Sequence, residues 1–392
     1  MRIALVSGEY PPQPGGIGDY TQQLGTALAA RGHSISVFTI ADGHFQIIGL
    51  RQPPTPAQVT VCQSLSGWGW ASWSAVQAAI ATTHPDVLHI QYQTGAYGMH
   101  PAINLLPWRL RRMAARPRIA VTAHDLLEPY LFPKAGPVRA WVTRRLLADA
   151  DAVVATNGDD AAGAARLLGR GAPPEIIPIG SNIAVAPPAG FDRAAWRARL
   201  GVPEEQTLVA YFGLISRTKG LGTLLDALAI LPGALRLLVV GGAASAPEDR
   251  AYAATIQQQI DALGLGARVL ITGHCPAAEV SAHLLAADIA ALPYSDGASF
   301  RRGSLLAALA HGLPTITTLP AGAAPAPLAD GANVLLVPPE RPAALAQAIA
   351  MLAADARQRQ RLASGAQALA QQFGWEAIAA QHEALYARLA AR

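Results

Sequence analysis

Short runs that are apolar at nearly every position alternate along the chain with longer segments that are apolar at every third or fourth. In the first half the runs are RIALVS, SISVFTI, DVLHIQY, RIAVTAHD and DAVVATN, and between them lie segments such as YTQQLGTALAARG, PAINLLPWRLRRMAARP and VRAWVTRRLLADA. A strand covered by helices on both faces has no polar side, so it reads as a continuous apolar run, and an intervening helix returns the chain to start the next parallel strand. The second half repeats the plan with TLVAYFGL, LRLLVVGG, ARVLITGH, DIAALPYS, PTITT and NVLLVPP. The pattern predicts an α/β protein of two Rossmann-like domains with parallel sheets. Their seam falls in IIPIGSNIAVAPPAGFD, residues 176–192, where Pro and Gly accumulate and the helical period lapses. FGWEAIAAQHEALYARLAAR closes the chain as an amphipathic helix. The expected boundaries are 1–182, 183–370, and 371–392 for a closing helix that packs back toward the first domain.

Composition narrows the class. A chain of 392 residues that is 51% hydrophobic has material for two cores. A net charge of +4 spread over that length gives a mild preference for anionic partners, and without a dense basic run nucleic acid is not expected among them. Cys62 and Cys275 are the only cysteines, which excludes a disulfide framework and a Cys-rich metal site. So few cysteines fit a reducing, cytoplasmic compartment, and with no run of about 18 apolar residues the chain is expected to be soluble or at most to lie on a membrane surface. The mixture of Leu105, Leu106, Trp108 and Leu110 with Arg109, Arg111, Arg112 and Arg116 leaves room for peripheral contact with anionic lipid, beside the plainer role of a sheet-covering helix.

Ligands of open parallel sheets bind beyond the carboxyl ends of the strands, so the loops there are the candidates. After the first strand, Gly15 and Gly16 leave the backbone bare in a loop that is not a dinucleotide GxGxxG. His124 and Asp125 end RIAVTAHD, where a histidine can hydrogen-bond a sugar hydroxyl or merely cap a helix. Arg217 and Lys219 precede Gly220 and a helix, and cations beside a helix N-terminus attract an anion. Lys219 is one of only two lysines, with Lys134. Gly241 and Gly242 end another strand, and His274 and Cys275 the next, with Cys275 reading as packing. ASFRRGSLLAALAHGLPTI then sets Ser299, Arg301, Arg302, Gly303, Ser304 and Leu305 at the start of a helix without an acid. Its free N–H groups and the arginines suit a phosphate, and two such clusters suggest a diphosphate.

Taken in order, EYPPQPGGIGDYTQQLGTALAARGH, DVLHIQY, the TAHD loop, EIIPIGSN, GLISRTKGLGTLLDAL, LLVVGG, VLITGH, LAAADIAALPYS, ALAHGLPTITT and the closing FGW helix resemble the family-four retaining glycosyltransferases, the group 1 glycosyl transferases of GT-B fold, over nearly the whole chain. The resemblance implies two Rossmann-like domains with parallel sheets facing a central cleft, the first for the acceptor and the second for the nucleotide-sugar. It implies transfer of a sugar from a UDP- or GDP-sugar to a glycan, lipid-linked or small-molecule acceptor with retention, and no required cofactor or metal. It places Gly16 near the donor diphosphate and acceptor, His124 on the sugar, and Lys219 on phosphate. Where the family has an arginine five residues before that lysine this chain has Leu214, so Arg217 substitutes or the contact is absent. Where it has two glutamates eight positions apart this chain has Ser299 and Ala307, which removes the usual carboxylate contacts to sugar and ribose. A non-catalytic sugar-nucleotide-binding protein, a sugar-nucleotide epimerase and an inverting transferase remain as alternatives on the same fold. A pyridoxal phosphate phosphorylase is set aside, because Lys219 suits phosphate and Lys134 sits in a loop context.

Overall fold

A computed structural model describes residues 1–13, 15–50, 58–65, 67–126, 136–169, 173–243, 247–320 and 327–391. Lys134 lies outside the described residues. The chain divides into two compact units, residues 1–180 with 375–392, and residues 181–374.

The first unit runs β1 (Arg2–Ser7), α1 (Gly16–Ala30), β2 (Ser34–Ala41), β3 (His44–Leu50), β4 (Gln58–Ser64), α2 (Ser72–Thr83), β5 (Val87–Gln93), α3 (Ala102–Leu110), β6 (Arg118–Asp125), α4 (Gly136–Ala148), β7 (Ala152–Ala155), α5 (Gly158–Leu168) and β8 (Glu175–Ile176). Among the described residues these strands form one sheet, ordered β4-β3-β2-β1-β5-β6-β7-β8. Successive side chains of a strand point to opposite faces. Ile3 and Leu5 of β1 therefore meet Leu24 and Leu28 of α1, while Ala4 and Val6 join Val76 and Ile80 of α2 and Leu106 and Leu110 of α3 on the other face. Each such burial contributes about 1.5–3 kcal/mol for a large aliphatic side chain.

One part of this sheet departs from the parallel plan read in the sequence. β2, β3 and β4 pair antiparallel, with Ala41 opposite His44. The two residues between, Asp42 and Gly43, both have positive φ, 51° and 74°. That is the backbone of the two-residue hairpin turn for which Asp-Gly is a preferred pair, because its twist matches that of the flanking strands.

The second unit runs α6 (Arg193–Arg199), β9 (Thr207–Phe212), α7 (Leu221–Ile230), β10 (Leu235–Val240), α8 (Pro247–Ala262), β11 (Val269–Gly273), α9 (Ala277–Ala286), β12 (Ile289–Leu292), α10 (Gly303–Ala310), β13 (Thr315–Thr318), β14 (Leu335–Val337), α11 (Pro342–Ala354) and α12 (Ala356–Ala370). Its described sheet is ordered β11-β10-β9-β12-β13-β14, and every pairing is parallel. Val209 and Tyr211 of β9 pack with Leu221, Leu224, Leu225 and Leu228 of α7 and with Ile349 and Leu352 of α11. The closing helix α13 (Trp375–Ala390) belongs to the first unit, where Ile378, Leu385, Tyr386 and Leu389 enter the core with α1. Among the described residues no helix is long and apolar enough to cross a membrane.

Both strand orders contain a reversal. The second sheet grows from β9 through β10 to β11 on one side and from β12 to β14 on the other. In the first, β2 lies on one side of β1 and β5 on the other. Loops leaving the two strands at such a point diverge and open a crevice at their carboxyl ends. Those crevices are flanked by the loops after β9 and β12 in the second unit and after β1 and β5 in the first.

Candidate functional site

In the second unit the loop after β9 makes a short 3-10 turn over Arg217–Lys219 and enters α7 through Gly220. Gly220 has φ 72°, and a Cβ there would lie 1.8 Å from the carbonyl oxygen of Pro293, just past β12. Only a glycine lets the two loops approach this closely. The approach brings Lys219 and Arg302 to one aromatic ring: the Lys219 Nζ lies 5.3 Å and the Arg302 Cζ 4.7 Å from the ring centre of Tyr294. Tyr294 is buried, and its hydroxyl is hydrogen-bonded to that of Ser304 at 2.7 Å. The guanidinium of Arg302 forms an ion pair with both carboxylate oxygens of Asp296.

Burial and, after it, the Arg302 charge lower the Lys219 ammonium pKa to about 8 against an opposing pull from Asp296. A cation held at a cost beside a second cation is stabilised by whatever anion joins them. The N-cap of α10 is Arg302, with extended backbone and no side-chain cap, whereas Asn157, Asp192 and Asp355 cap α5, α6 and α12 with their side chains. Gly303 at the start of α10 is exposed, Ser304 and Leu305 are buried, and the Ser299 carbonyl accepts from the Arg302 amide at 3.0 Å.

Other positions singled out in the sequence have other partners or surroundings. Arg217 is exposed and its guanidinium sits 5.2 Å from the ring centre of Tyr252 on α8. Leu214 is exposed, and Ala307 is fully buried. The Gly242 carbonyl accepts from Ile215 N at 2.9 Å, tying the loops after β9 and β10 together. His274 is exposed beyond β11, and Cys275 is half-buried with its Sγ 3.6 Å from Thr272 Oγ1.

In the first unit, Glu9 was not anticipated. Its Oε1 accepts from the amides of Ile17 at 2.9 Å and Gly18 at 3.4 Å, so the chain's own carboxylate caps the positive end of α1. A Cβ on Gly15 would lie 2.1 Å from this carboxyl group, while one on Gly16 would meet nothing within 4 Å. Gly15 thus makes room for Glu9, and Gly16 is the open position. Replacing Glu9 by Ala is expected to lower stability by about 1 kcal/mol, and Glu9→Gln, which retains an accepting oxygen, to recover most of it. Thermal melts check this, and equal losses in the two variants would show that capping is not what Glu9 supplies.

His124, near the end of β6, packs edge-on against Tyr20 of α1 with ring centres 4.6 Å apart, and Tyr20 packs in turn against Trp375 at 5.3 Å. His124 Nε2 lies 3.0 Å from Gln91 Oε1. A carbonyl oxygen there calls for an N–H on Nε2 and leaves Nδ1 as an acceptor. Burial and, after it, His382 push the ring's pKa down to about 3, so the imidazole is neutral at physiological pH. His89 is fully buried and bonded at both ring nitrogens, to Tyr386 Oη at 2.6 Å and Thr122 Oγ1 at 2.7 Å. Leu106 and Leu110 of α3 belong to the core, and beyond the helix Arg112 stacks on Trp108 and Arg116 pairs with Asp151 at 2.6 Å. Of the apolar residues in this segment, Leu106 and Leu110 are buried, and Leu105 and Trp108 are half-buried.

Two α/β units of this kind form the GT-B fold of sugar transferases. Sucrose-phosphate synthase from Thermosynechococcus elongatus is similar throughout, with a TM-score of 0.74, 25% identity, and coverage of 100% of this chain and 99% of that one. Anabaena HepE in complex with UDP has the same fold, with a TM-score of 0.74, 21% identity, and coverage of 99% and 100%. Among curated proteins, D-inositol 3-phosphate glycosyltransferase of Xylanimonas cellulosilytica is 30% identical over 100% of this chain and 97% of its own length. That of Kineococcus radiotolerans is 29% identical over 99% and 95%. The glycosyl transferase 4-like domain model matches residues 15–180, and the glycosyl transferases group 1 model matches residues 192–369. The chain belongs to the group 1 glycosyltransferases.

Proposed function

We propose that this glycosyltransferase moves a sugar from a UDP- or GDP-sugar to an acceptor hydroxyl with retention at the anomeric carbon, needing no metal or other cofactor. The observation that carries the donor assignment is the convergence of Lys219, Arg302 and the uncapped start of α10 around Tyr294, at the strand-order reversal of the second unit. Breaking the bond from sugar to diphosphate places charge on the leaving phosphate, and preorganised cations and helix amides stabilise that charge as it develops. HepE has been crystallised with UDP, with UDP and glucose, and with UDP-glucose, which supports a nucleoside diphosphate in the same fold. His124, neutral and with Nδ1 as an acceptor, is suited to hold a sugar hydroxyl.

The acceptor belongs to the first unit and is a glycan, a lipid-linked saccharide or a small polyol. The last is favoured by the curated relatives, which are named for D-inositol 3-phosphate. A cytoplasmic location accompanies this reading, since nucleotide-sugars are cytoplasmic substrates. Incubation with a panel of UDP- and GDP-sugars and these acceptors, followed by NMR of the new anomeric centre, is expected to give a product with the donor's configuration. An inverted product would refute retention. Binding without turnover would favour the non-catalytic reading, for which the buried Ala307 and the half-buried Ser299 are the supporting observations.

A further inference from the structure

Arg302, the residue best placed to grip a diphosphate, holds a carboxylate in the structure, that of Asp296. The backbone that carries Asp296 is fixed on both sides. Ser295 N donates to Thr218 O at 3.1 Å, which joins the loop to the turn bearing Lys219. Thr318 Oγ1 donates to Tyr294 O at 2.6 Å, and Ala298 N donates to Thr318 O at 2.8 Å. Asp296 itself is exposed, so its side chain can turn while its position is held.

Charge decides what happens when a diphosphate arrives. Lys219 and Arg302 supply two positive charges and Asp296 one negative, and a diphosphate carries at least two negative charges. The doubly charged ligand offers Arg302 a bidentate partner and Lys219 a second, and one carboxylate cannot compete for both. Asp296 is then left at the edge of the bound ligand as a carboxylate that can only accept hydrogen bonds. A nucleotide-sugar offers such donors in the hydroxyls of its ribose and of its transferred sugar, and only the second set is absent from the free diphosphate. Neither Ser299 nor Ala307 offers a carboxylate for them.

We propose that Asp296 is the sugar-reading residue of the donor site, exchanging its partner Arg302 for donor-sugar hydroxyls when the diphosphate binds. The inference rests on the nucleotide-sugar reading above and adds a specificity residue to it. It makes Asp296 a competitor of the diphosphate and a partner of the sugar, so its removal moves the two affinities in opposite senses.

The test is calorimetric titration of the full chain, of Asp296→Asn and of Asp296→Ala. The ligands are UDP, GDP, UDP-glucose, UDP-N-acetylglucosamine and GDP-mannose, each sugar being compared with its own diphosphate. Both variants are expected to bind the nucleoside diphosphate several-fold more tightly than the unaltered chain. The extra affinity given by the sugar is expected to fall by about tenfold or more, the loss appropriate to hydrogen bonds with a charged acceptor. Asp296 is exposed, so melting temperatures should stay close to that of the unaltered chain and show that the comparison is fair. Equal shifts for diphosphate and nucleotide-sugar would make Asp296 a simple counter-ion and overturn the proposal. Weaker diphosphate binding with the sugar increment intact would make it a support for Arg302, and overturn it too. If the unaltered chain binds none of these ligands, the donor reading itself fails, and this one with it.

Discussion

Replacing Lys219 by Ala is expected to slow sugar transfer at saturating donor by about thirty- to a thousand-fold, the equivalent of about 2–4 kcal/mol in the transition state. The ammonium lies beside Tyr294 and Arg302, and on the function proposed above this is where the leaving diphosphate would gain charge as the bond to the sugar breaks. Stability should not fall with activity. The folded-state pKa of about 8 is below the ordinary lysine value, so the native state binds this proton more weakly than the unfolded chain. Below pH 8 the charged lysine detracts from stability, and the penalty is relieved as pH rises from 8 toward the ordinary value. Alanine removes it at every pH, so the melting temperature at pH 7 should hold or rise. The same pKa predicts that diphosphate affinity falls as pH rises above 8, by up to about tenfold per pH unit, because binding requires the protonated amine. That slope should vanish in the variant. A variant with full rate at saturating donor, or with the pH slope retained, would take Lys219 out of the mechanism.

The sequence and the structure agree where burial alone decides the outcome. RIALVS, DVLHIQY and TLVAYF are apolar throughout because helices cover both faces of their sheets, and a run of that kind is visible without coordinates. HFQIIGL and QVTVCQS do not stand out as strands because they mix polar and apolar residues, although Asp42-Gly43 already marks the turn. At the proposed donor site the strand ends and their loops are legible, since Lys219 and Arg302 follow apolar runs closely. The choice of partners is not. Local composition shows that Arg217 and Lys219 are two residues apart, but not that one turns to Tyr252 and the other to Tyr294. Tyr294 and Asp296 look like ordinary loop residues until the approach of Gly220 to Pro293 brings the two loops together. Glu9 was missed for a related reason: a capping carboxylate usually sits at the N-cap itself, and this one reaches α1 from seven residues before Gly16.

On the proposed function, the second unit holds its substrate by the diphosphate, through Arg302 and Lys219. Arg302→Ala tests it most directly, because this guanidinium is the group expected to grip phosphate oxygens in a fork, and loss of a charge-assisted pair of that kind weakens binding by about ten- to a hundredfold. The variant and the unaltered chain are to be titrated by calorimetry with a nucleoside diphosphate and with the matching nucleotide-sugar. A phosphate contact is common to the two ligands, so both affinities should fall by similar factors. A loss confined to the nucleotide-sugar, with the diphosphate bound as tightly as before, would mean that Arg302 reads the sugar and would contradict the account of the donor site.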